Sequence, residues 1–284
     1  MIQKLEMTVL IDNLADAPLV GEWGLSILID ADDKRILLDT GASGHFAQNA
    51  ECLGIDLNSI DTGVLSHAHY DHAGGLDTFF ELNRNAPFLV REGVCENCFG
   101  VKEGVLRYIG IQRGILEKHA SRIQYVSGVH ELASGIWLVP HRRADYSAIA
   151  LRNDLYTVDN GERRPDDFGH EQSLVIETVK GLVVFNSCSH AGMTNILADI
   201  REMLGRCDVC AYVGGLHLYN MTDEELDALS GKIKRTGIEH IFTGHCTGDH
   251  AFAFLKARLG GRIEQFSSGF IYTFCISLVR YQTI

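Results

Sequence analysis

The chain has 284 residues, of which 46% are hydrophobic and 22% are charged, a composition typical of a folded globular protein. Its formal net charge of −12 argues against a general nucleic-acid binder, because such proteins need a basic surface to attract phosphates. The N-terminus does not resemble a signal peptide and no apolar run approaches roughly 18 residues, so we expect a cytoplasmic protein that neither spans nor binds membranes. Four prolines and the lack of a linker-like stretch predict one domain over residues 1–284.

The first third of the chain consists of short apolar segments separated by turns. Four strands are predicted, at residues 7–11, 25–29, 35–39 and 62–66. A helix is predicted at 45–53, and a second helical pattern covers 71–82. This alternation of strands and helices predicts a layered α/β fold. Between residues 87 and 146 short strands mix with glycine-rich loops, and the pattern does not predict an order of elements.

The second half repeats the alternation. Residues 173–178 and 182–186 are predicted to form a hairpin around Lys180-Gly181. Thr222 and Glu225 have the spacing of a capping box, which predicts the start of a helix. The other predicted elements are helices at 194–204 and 249–259 and strands at 209–213, 239–243 and 271–279. Three times a buried strand ends in a histidine before a helix, which suggests two similar halves whose strand ends converge.

Eight cysteines are present, and four of them form two CxxC pairs. The pairs are Cys95/Cys98 and Cys207/Cys210. They are more than a hundred residues apart, unlike the two halves of a usual four-cysteine zinc site. We therefore expect the cysteines of these two pairs to be reduced thiols that bind no metal.

The strongest chemical signal is the segment His67-Ala68-His69-Tyr70-Asp71-His72. His67 and His69 are two residues apart at a strand end, so that both imidazoles point to one side. Asp71 and His72 follow where the chain turns into a helix and can face the same space. Imidazole nitrogen and carboxylate oxygen suit zinc, manganese, iron or nickel. The alternative, a polar turn with capping histidines, explains so dense a cluster poorly.

This segment matches the HxHxDH signature of the metallo-β-lactamase superfamily, and Leu37-Leu38-Asp39-Thr40-Gly41 resembles the first motif of that superfamily. The resemblance implies a four-layer αββα sandwich, a structural role for Asp39, and one or two divalent ions, most often zinc. His190 and His245 fall where later ligand motifs are expected, and each ends a predicted strand. The implied metal ligands are His67, His69, Asp71, His72, His190 and His245, with Asp71 alternatively a catalytic base.

Four further segments together resemble one branch of the superfamily, the dihydropterin-6-ylmethyl-(ribofuranosyl)aminobenzene 5′-phosphate synthases. These segments cover residues 66–76, 187–192, 214–218 and 245–248. Dinuclear hydrolases of the superfamily usually supply a bridging Asp at a strand end, where this chain has Ser187-Cys188-Ser189-His190. Cys188 is therefore a weaker ligand candidate than His190. His217 is predicted either to bind metal or to line the pocket.

The predicted function is a metal-dependent hydrolase that acts on a small anionic or phosphorylated substrate through metal-activated water. The alternatives are a dihydropterin-transferring synthase, a metal-dependent sensor with weak catalysis, and an iron redox protein. Two basic pairs, Arg142-Arg143 and Arg163-Arg164, have the guanidinium groups that bind phosphate, although solvated arginines explain them as well. His170 lies just before a predicted strand and is expected at the surface, with a supporting or substrate-contacting role as the alternative.

Overall fold

The computed structural model describes residues 1–141 and 146–276. Its strands, in chain order, are β1 (Lys4–Ile11), β2 (Ser26–Ala31), β3 (Lys34–Leu38), β4 (Thr62–Val64), β5 (Phe88–Arg91), β6 (Cys98–Lys102), β7 (Val105–Tyr108), β8 (Ile123–Val126), β9 (His130–Ala133), β10 (Ile136–Pro140), β11 (Leu155–Asp159), β12 (Glu162–Pro165), β13 (Gln172–Thr178), β14 (Gly181–Phe185), β15 (Val209–Val213), β16 (His240–Thr243), β17 (Ile263–Gln265) and β18 (Ile271–Ile276). Its α-helices are α1 (His45–Cys52), α2 (Tyr70–Ala73), α3 (Leu76–Leu82), α4 (Ile115–Lys118), α5 (Ser147–Arg152), α6 (Met193–Leu204), α7 (Asp223–Thr236) and α8 (Asp249–Leu259).

Two seven-stranded sheets carry the fold, and they repeat one topology. The first has the order β18-β1-β2-β3-β4-β5-β8, and the second has the order β17-β16-β15-β14-β13-β10-β9. In the first sheet, pairing is antiparallel from β18 to β3 and parallel from β3 to β8. The second sheet is antiparallel from β9 to β14 and parallel from β14 to β17. The two similar halves inferred from the recurring strand–histidine–helix unit are therefore present.

Each sheet is apolar on both faces, because one face packs on the other sheet and the second face packs on helices. Val183 and Phe185 point into the core between the sheets, whereas Leu182 and Val184 join a cluster with α6, α7 and α8. On the outer face of the first sheet, α1 and α3 cover a third cluster that contains Leu37. This arrangement confirms the four-layer αββα sandwich.

The middle of the chain, whose order could not be predicted, adds a small sheet beside the sandwich. Its strand order is β12-β11-β6-β7. Strands β7 and β12 are largely exposed, whereas β6 and β11 are mostly half-buried, so these strands lack the continuous apolar runs of the core strands. The segment after β7 pairs with the histidine-rich loop, since the Tyr70 N–H donates to the Ile109 carbonyl at 2.9 Å. The small sheet therefore lies next to the strand ends that carry the histidines.

The single helix expected at 71–82 is instead two short helices, α2 and α3, separated by Gly74-Gly75. A Cβ on Gly74 would lie 2.1 Å from the Ala42 carbonyl oxygen, so this close contact between backbones requires glycine. The final strand is described only as far as Ile276. None of the described helices is long and apolar enough to cross a membrane.

We expect Gly214→Ala, directly after β15, to lower the free energy of unfolding by roughly 1–3 kcal/mol, the usual cost of backbone strain. Gly214 has a φ of 133°, and an added Cβ would lie 1.8 Å from the Asn186 carbonyl oxygen. The control is Gly231→Ala inside α7, which should raise stability by about 0.5–1 kcal/mol because alanine favours helix. Urea unfolding measures both changes. Equal stability of the two variants would contradict the role given to Gly214.

Candidate metal centre

The loops that follow β4, β14, β15 and β16 converge on one buried place at the carboxyl ends of these parallel strands, where α/β folds commonly bind ligands. The ligand-type side chains that meet there are His67, His69, Asp71, His72, Cys188, His190, His217, His245 and Cys246. The set includes all six side chains predicted as ligands. Ser189, His217 and His245 have positive φ angles between 48° and 55°. Such conformations are uncommon for residues other than glycine and cluster at functional sites.

The first group in this centre is His67, His69 and His190. One ring nitrogen from each lies within 4.8 Å of the others. Among the described residues none hydrogen-bonds to Nε2 of His67, Nε2 of His69 or Nδ1 of His190, although all three atoms are buried. Nδ1 of His190 lies 3.9 Å from a carboxylate oxygen of Glu171. Burial lowers the pKa of each imidazole, that of His69 to about 3. Neutral imidazoles with unpartnered, buried nitrogens are costly alone, and a bound cation would satisfy them.

The second group is Asp71, His72 and His245. The Nε2 atoms of His72 and His245 are 3.2 Å apart, and an Asp71 carboxylate oxygen lies 3.4 Å from Nε2 of His245. Burial opposes ionisation of Asp71, but His72 and His245 outweigh it and hold the pKa of the carboxyl below its usual range. Burial also opposes protonation of His245, but Asp71 raises the pKa of that imidazole to about 9. A carboxylate and two imidazoles suit zinc and related divalent metals.

The buried carboxylate of Asp39 orients this loop. It accepts hydrogen bonds from the Ser66 N–H at 2.7 Å and the Ser66 hydroxyl at 2.6 Å, and it lies 2.8 Å from Nδ1 of His72. The Ser66 hydroxyl also lies 2.8 Å from Nδ1 of His67. Because Nδ1 of both histidines is engaged, their Nε2 atoms are left to face the centre. These are the contacts of a positioning carboxylate.

Other buried residues that the sequence analysis missed hold the remaining histidines. Asp12 accepts the backbone N–H of His245 at 2.8 Å, and Asn13 contacts Nδ1 of the same imidazole at 3.1 Å. Glu171 accepts the backbone N–H groups of His190 and Ala191 at 3.1 and 3.2 Å. Burial raises the pKa of Glu171 to about 7. The sequence feature that could have identified these two carboxylates is their position at a strand end, since Asp12 directly follows β1 and Glu171 directly precedes β13.

The expectation that His170 lies at the surface was wrong, because this side chain is only 3% exposed. Its Nδ1 accepts the Ala68 N–H at 3.2 Å, and its Nε2 lies 3.0 Å from an Asp166 oxygen. Since Nδ1 accepts, the ring proton sits on Nε2 and is donated to Asp166. Cys98, Asp166, His170 and His69 are also close enough to hold a cation, but both ring nitrogens of His170 already have hydrogen-bond partners within the protein. His170 instead fixes the backbone between His67 and His69.

The other predicted residues divide between the centre and the surface. Cys188 and His217 group with His190, and neither ring nitrogen of His217 has a hydrogen-bond partner among described residues. Arg142 and Arg143 lie outside the described residues. Arg163 and Arg164 are exposed on β12, where Arg164 pairs with Glu162 and Arg163 stacks over Tyr156. All eight cysteines are free.

A cavity of about 130 Å³ lies against the centre, and a larger cleft of about 770 Å³ shares lining residues with it. The residues that line both are Trp23, Tyr70, Ile109, Leu155 and Tyr219. The larger cleft adds Tyr108, Lys102, Arg107 and Arg152. Lys102 and Arg107 make no ion pair with a described residue, whereas Arg152 contacts Glu225 at 3.2 Å. Aromatic rings and charged side chains of both signs therefore line the larger cleft, which also contains Glu103 and Asp154.

Comparisons with known proteins identify the family and the fold. Residues 24–176 match the family model described as the metallo-beta-lactamase superfamily. A 7,8-dihydropterin-6-methyl-4-(beta-D-ribofuranosyl)-aminobenzene-5′-phosphate synthase of Methanocaldococcus jannaschii is 28% identical, over 91% of this chain and 92% of the relative. A solved metal-dependent hydrolase of the beta-lactamase superfamily is 31% identical with a TM-score of 0.79, covering 94% of this chain and 98% of its own. The Bacillus subtilis protein YhfI, at 14% identity and a TM-score of 0.59 over 95% of this chain and 99% of its own, shares the fold.

We expect His170→Ala to weaken zinc affinity by about 10–100-fold, the usual effect of losing a residue that orients metal ligands. Without the imidazole, the Ala68 N–H loses its acceptor and His67 and His69 lose their fixed spacing. Competition with a chromogenic chelator measures the affinity. The control is His250→Ala, which removes an exposed imidazole that contacts Asp223 and should leave zinc affinity unchanged. A folded His170→Ala protein with wild-type affinity would contradict the positioning role.

Proposed function

The chain belongs to the metallo-beta-lactamase superfamily, and we propose that it is a metal-dependent hydrolase of a small anionic substrate. The observation that carries the proposal is the set of buried imidazole nitrogens of His67, His69 and His190 that no described residue satisfies. Neutral imidazoles held at this spacing serve no core packing, and their desolvation is offset when they bind a cation. The similar metal-dependent hydrolase of known structure supports the same chemistry.

We assign one divalent ion to His67, His69 and His190, and a second to Asp71, His72 and His245, with zinc the best match to these ligand types. A bound ion supplies Lewis acidity, which can lower the pKa of water from 15.7 to about 7 and stabilise developing negative charge. Asp39, Asp12 and Glu171 hold the three loops, so that the ligands need little rearrangement when an ion binds.

The protein groups around the small cavity have separate roles in this proposal. Asp71 lines the cavity as an ionised carboxylate and can accept the proton that an attacking water releases. His217 lines the same cavity with both ring nitrogens available to hydrogen-bond a substrate oxygen. Trp23 and Tyr219 are exposed residues that line both this cavity and the larger cleft and, once substrate is in place, reduce the access of bulk water.

The preference for an anion comes from the larger cleft. Lys102 and Arg107 have no ion-pair partner among described residues, although the chain as a whole carries a charge of −12. A local pair of cations can hold one phosphate or carboxylate, while the overall negative charge disfavours long polyanions. Arg142 and Arg143 remain proposed as further anion contacts.

A dihydropterin-transferring synthase is the second candidate, and two observations favour it. The similar Methanocaldococcus jannaschii protein bears that name. Four aromatic side chains line the cleft, namely Trp23, Tyr70, Tyr108 and Tyr219, and a planar pterin ring could stack on them. In this alternative the same centre would orient a diphosphate leaving group, and the nucleophile would be an aromatic carbon instead of water.

We expect the zinc-loaded protein to turn over anionic substrates from a panel of phosphoesters, lactones and β-lactams, supplemented by dihydropterin diphosphate with its ribosyl partner. Arg107→Ala combined with Lys102→Ala should raise KM for such substrates by at least about tenfold, since each lost charge-assisted contact is worth about 1.5–3 kcal/mol. His69→Ala should lose the zinc assigned to the first ligand group and should lack turnover. Steady-state kinetics and elemental analysis measure these effects.

The matched control is Arg262→Ala, an exposed arginine far along the chain from the cleft residues, which should leave KM unchanged. Turnover confined to neutral lactones, with no effect of the Arg107 and Lys102 changes, would reject the anionic substrate class. Product analysis separates the two candidates, because only the synthase joins the pterin to its partner. Full zinc content in His69→Ala would reject the ligand assignment itself.

A further inference from the structure

The sulfur atom of Cys188 lies at the meeting point of the two proposed ligand groups. It is 3.2 Å from Nε2 of His72, which belongs to the second group. It also lies within 4.8 Å of ring nitrogens of His67 and His190, which belong to the first group. The side chain is only 2% exposed. One ligand-type atom therefore faces both groups from the same position.

The turn that carries Cys188 is fixed by its neighbours. The Ser189 N–H donates to Asn186 Oδ1 at 2.6 Å, and the Ser189 hydroxyl donates to the Gly215 carbonyl at 2.6 Å. The Gly215 N–H in turn donates to the Ser187 carbonyl at 2.8 Å. These bonds on both sides of Cys188 hold its backbone against the loop after β15, so the thiol is directed to the centre by a rigid turn.

From this placement we infer that the Cys188 thiolate is a ligand shared by the two metal positions, in the place where the strand end offers no carboxylate. The inference rests on the proposed function, because it needs metal at the centre. On binding, the metal–sulfur bond forms and the thiol proton leaves to solvent. A thiolate is a soft ligand that favours zinc or iron over magnesium and manganese, so the shared sulfur also narrows the choice of metal.

Cys246 provides an internal control. Its sulfur is also buried and lies only 3.4 Å from the sulfur of Cys188. Its thiol donates to the Cys188 carbonyl at 3.6 Å, and its sulfur groups with Cys188 and with His245 of the second ligand group. Cys188→Ser and Cys246→Ser each replace one buried sulfur by oxygen, and the two sulfurs are neighbours. A difference in metal binding between the two variants therefore reports which sulfur is the ligand.

The test is a titration of the metal-free, full-length protein with cobalt(II), followed by absorption spectroscopy. Cobalt(II) gives visible bands with any ligand set and a near-ultraviolet charge-transfer band only when sulfur is bound. We expect this band to grow through two equivalents in the wild type, to persist in Cys246→Ser and to vanish in Cys188→Ser. A band that saturates at one equivalent would overturn the shared role, and a band that Cys246→Ser removes would overturn the assignment to Cys188.

A second measurement covers the case in which Cys188→Ser fails to fold. X-ray absorption at the zinc edge of the wild-type protein should show a sulfur neighbour at about 2.3 Å, the usual zinc–thiolate distance. A shell of nitrogen and oxygen alone would overturn the inference while leaving the proposed function intact. Failure of the wild type to bind cobalt or zinc at all would instead contradict the proposed function.

Discussion

The buried carboxylate of Asp39 is the contact on which the placement of the centre depends. It stands at the end of β3 and binds the backbone and side chain of Ser66, which follows the neighbouring strand β4. It also contacts His72, beyond the turn. One fully buried group therefore ties the entry and the exit of the histidine loop to the first sheet. Removing it would leave several buried polar groups unsatisfied at once, which typically costs about 1–3 kcal/mol for each group.

The two halves of the molecule support each other's histidines. His245 follows a strand of the second sheet, but Asp12 and Asn13 of the first half hold it. Conversely, His170 and Gln172 of the second half bind the backbone of the loop between residues 65 and 68. The centre therefore exists only when the two sheets pack face to face, and the apolar core between them supplies the driving force. This dependence couples folding of the sandwich to assembly of the ligand set.

The sequence pattern predicted the strands and helices of the sandwich well, because strands buried on both faces and capped helices have strong local signals. The helix at Asp249–Leu259, the strand at Val209–Val213 and the capping box at Thr222 appear as expected. The HxHxDH segment likewise predicted a cluster that the structure assembles, since its spacing allows the side chains to face one place. Local signals failed at Gly74, where contact with a distant carbonyl splits a helix.

The supporting residues were harder to predict, for a physical reason. Asp166, His170 and Glu171 resemble polar loop residues in sequence, and their burial follows from partners far along the chain. A charge count predicts exposure for such residues, whereas long-range hydrogen bonds determine their burial. The small sheet of the middle segment was missed because its strands are exposed or half-buried and lack the continuous apolar runs of the core strands. Its aromatic and cationic residues shape the cleft, so the substrate features were the least accessible to sequence reasoning.

Anomalous diffraction at the zinc edge from crystals of the zinc-loaded protein tests the central claim most directly. The account predicts an anomalous peak bonded to ring nitrogens of His67, His69 and His190 at about 2.0–2.1 Å, the usual zinc–imidazole distance. A second peak is expected beside Asp71, His72 and His245. Zinc bound only at the CxxC pairs, or more than about 3 Å from the imidazoles of the first group, well beyond that bonding distance, would contradict the account.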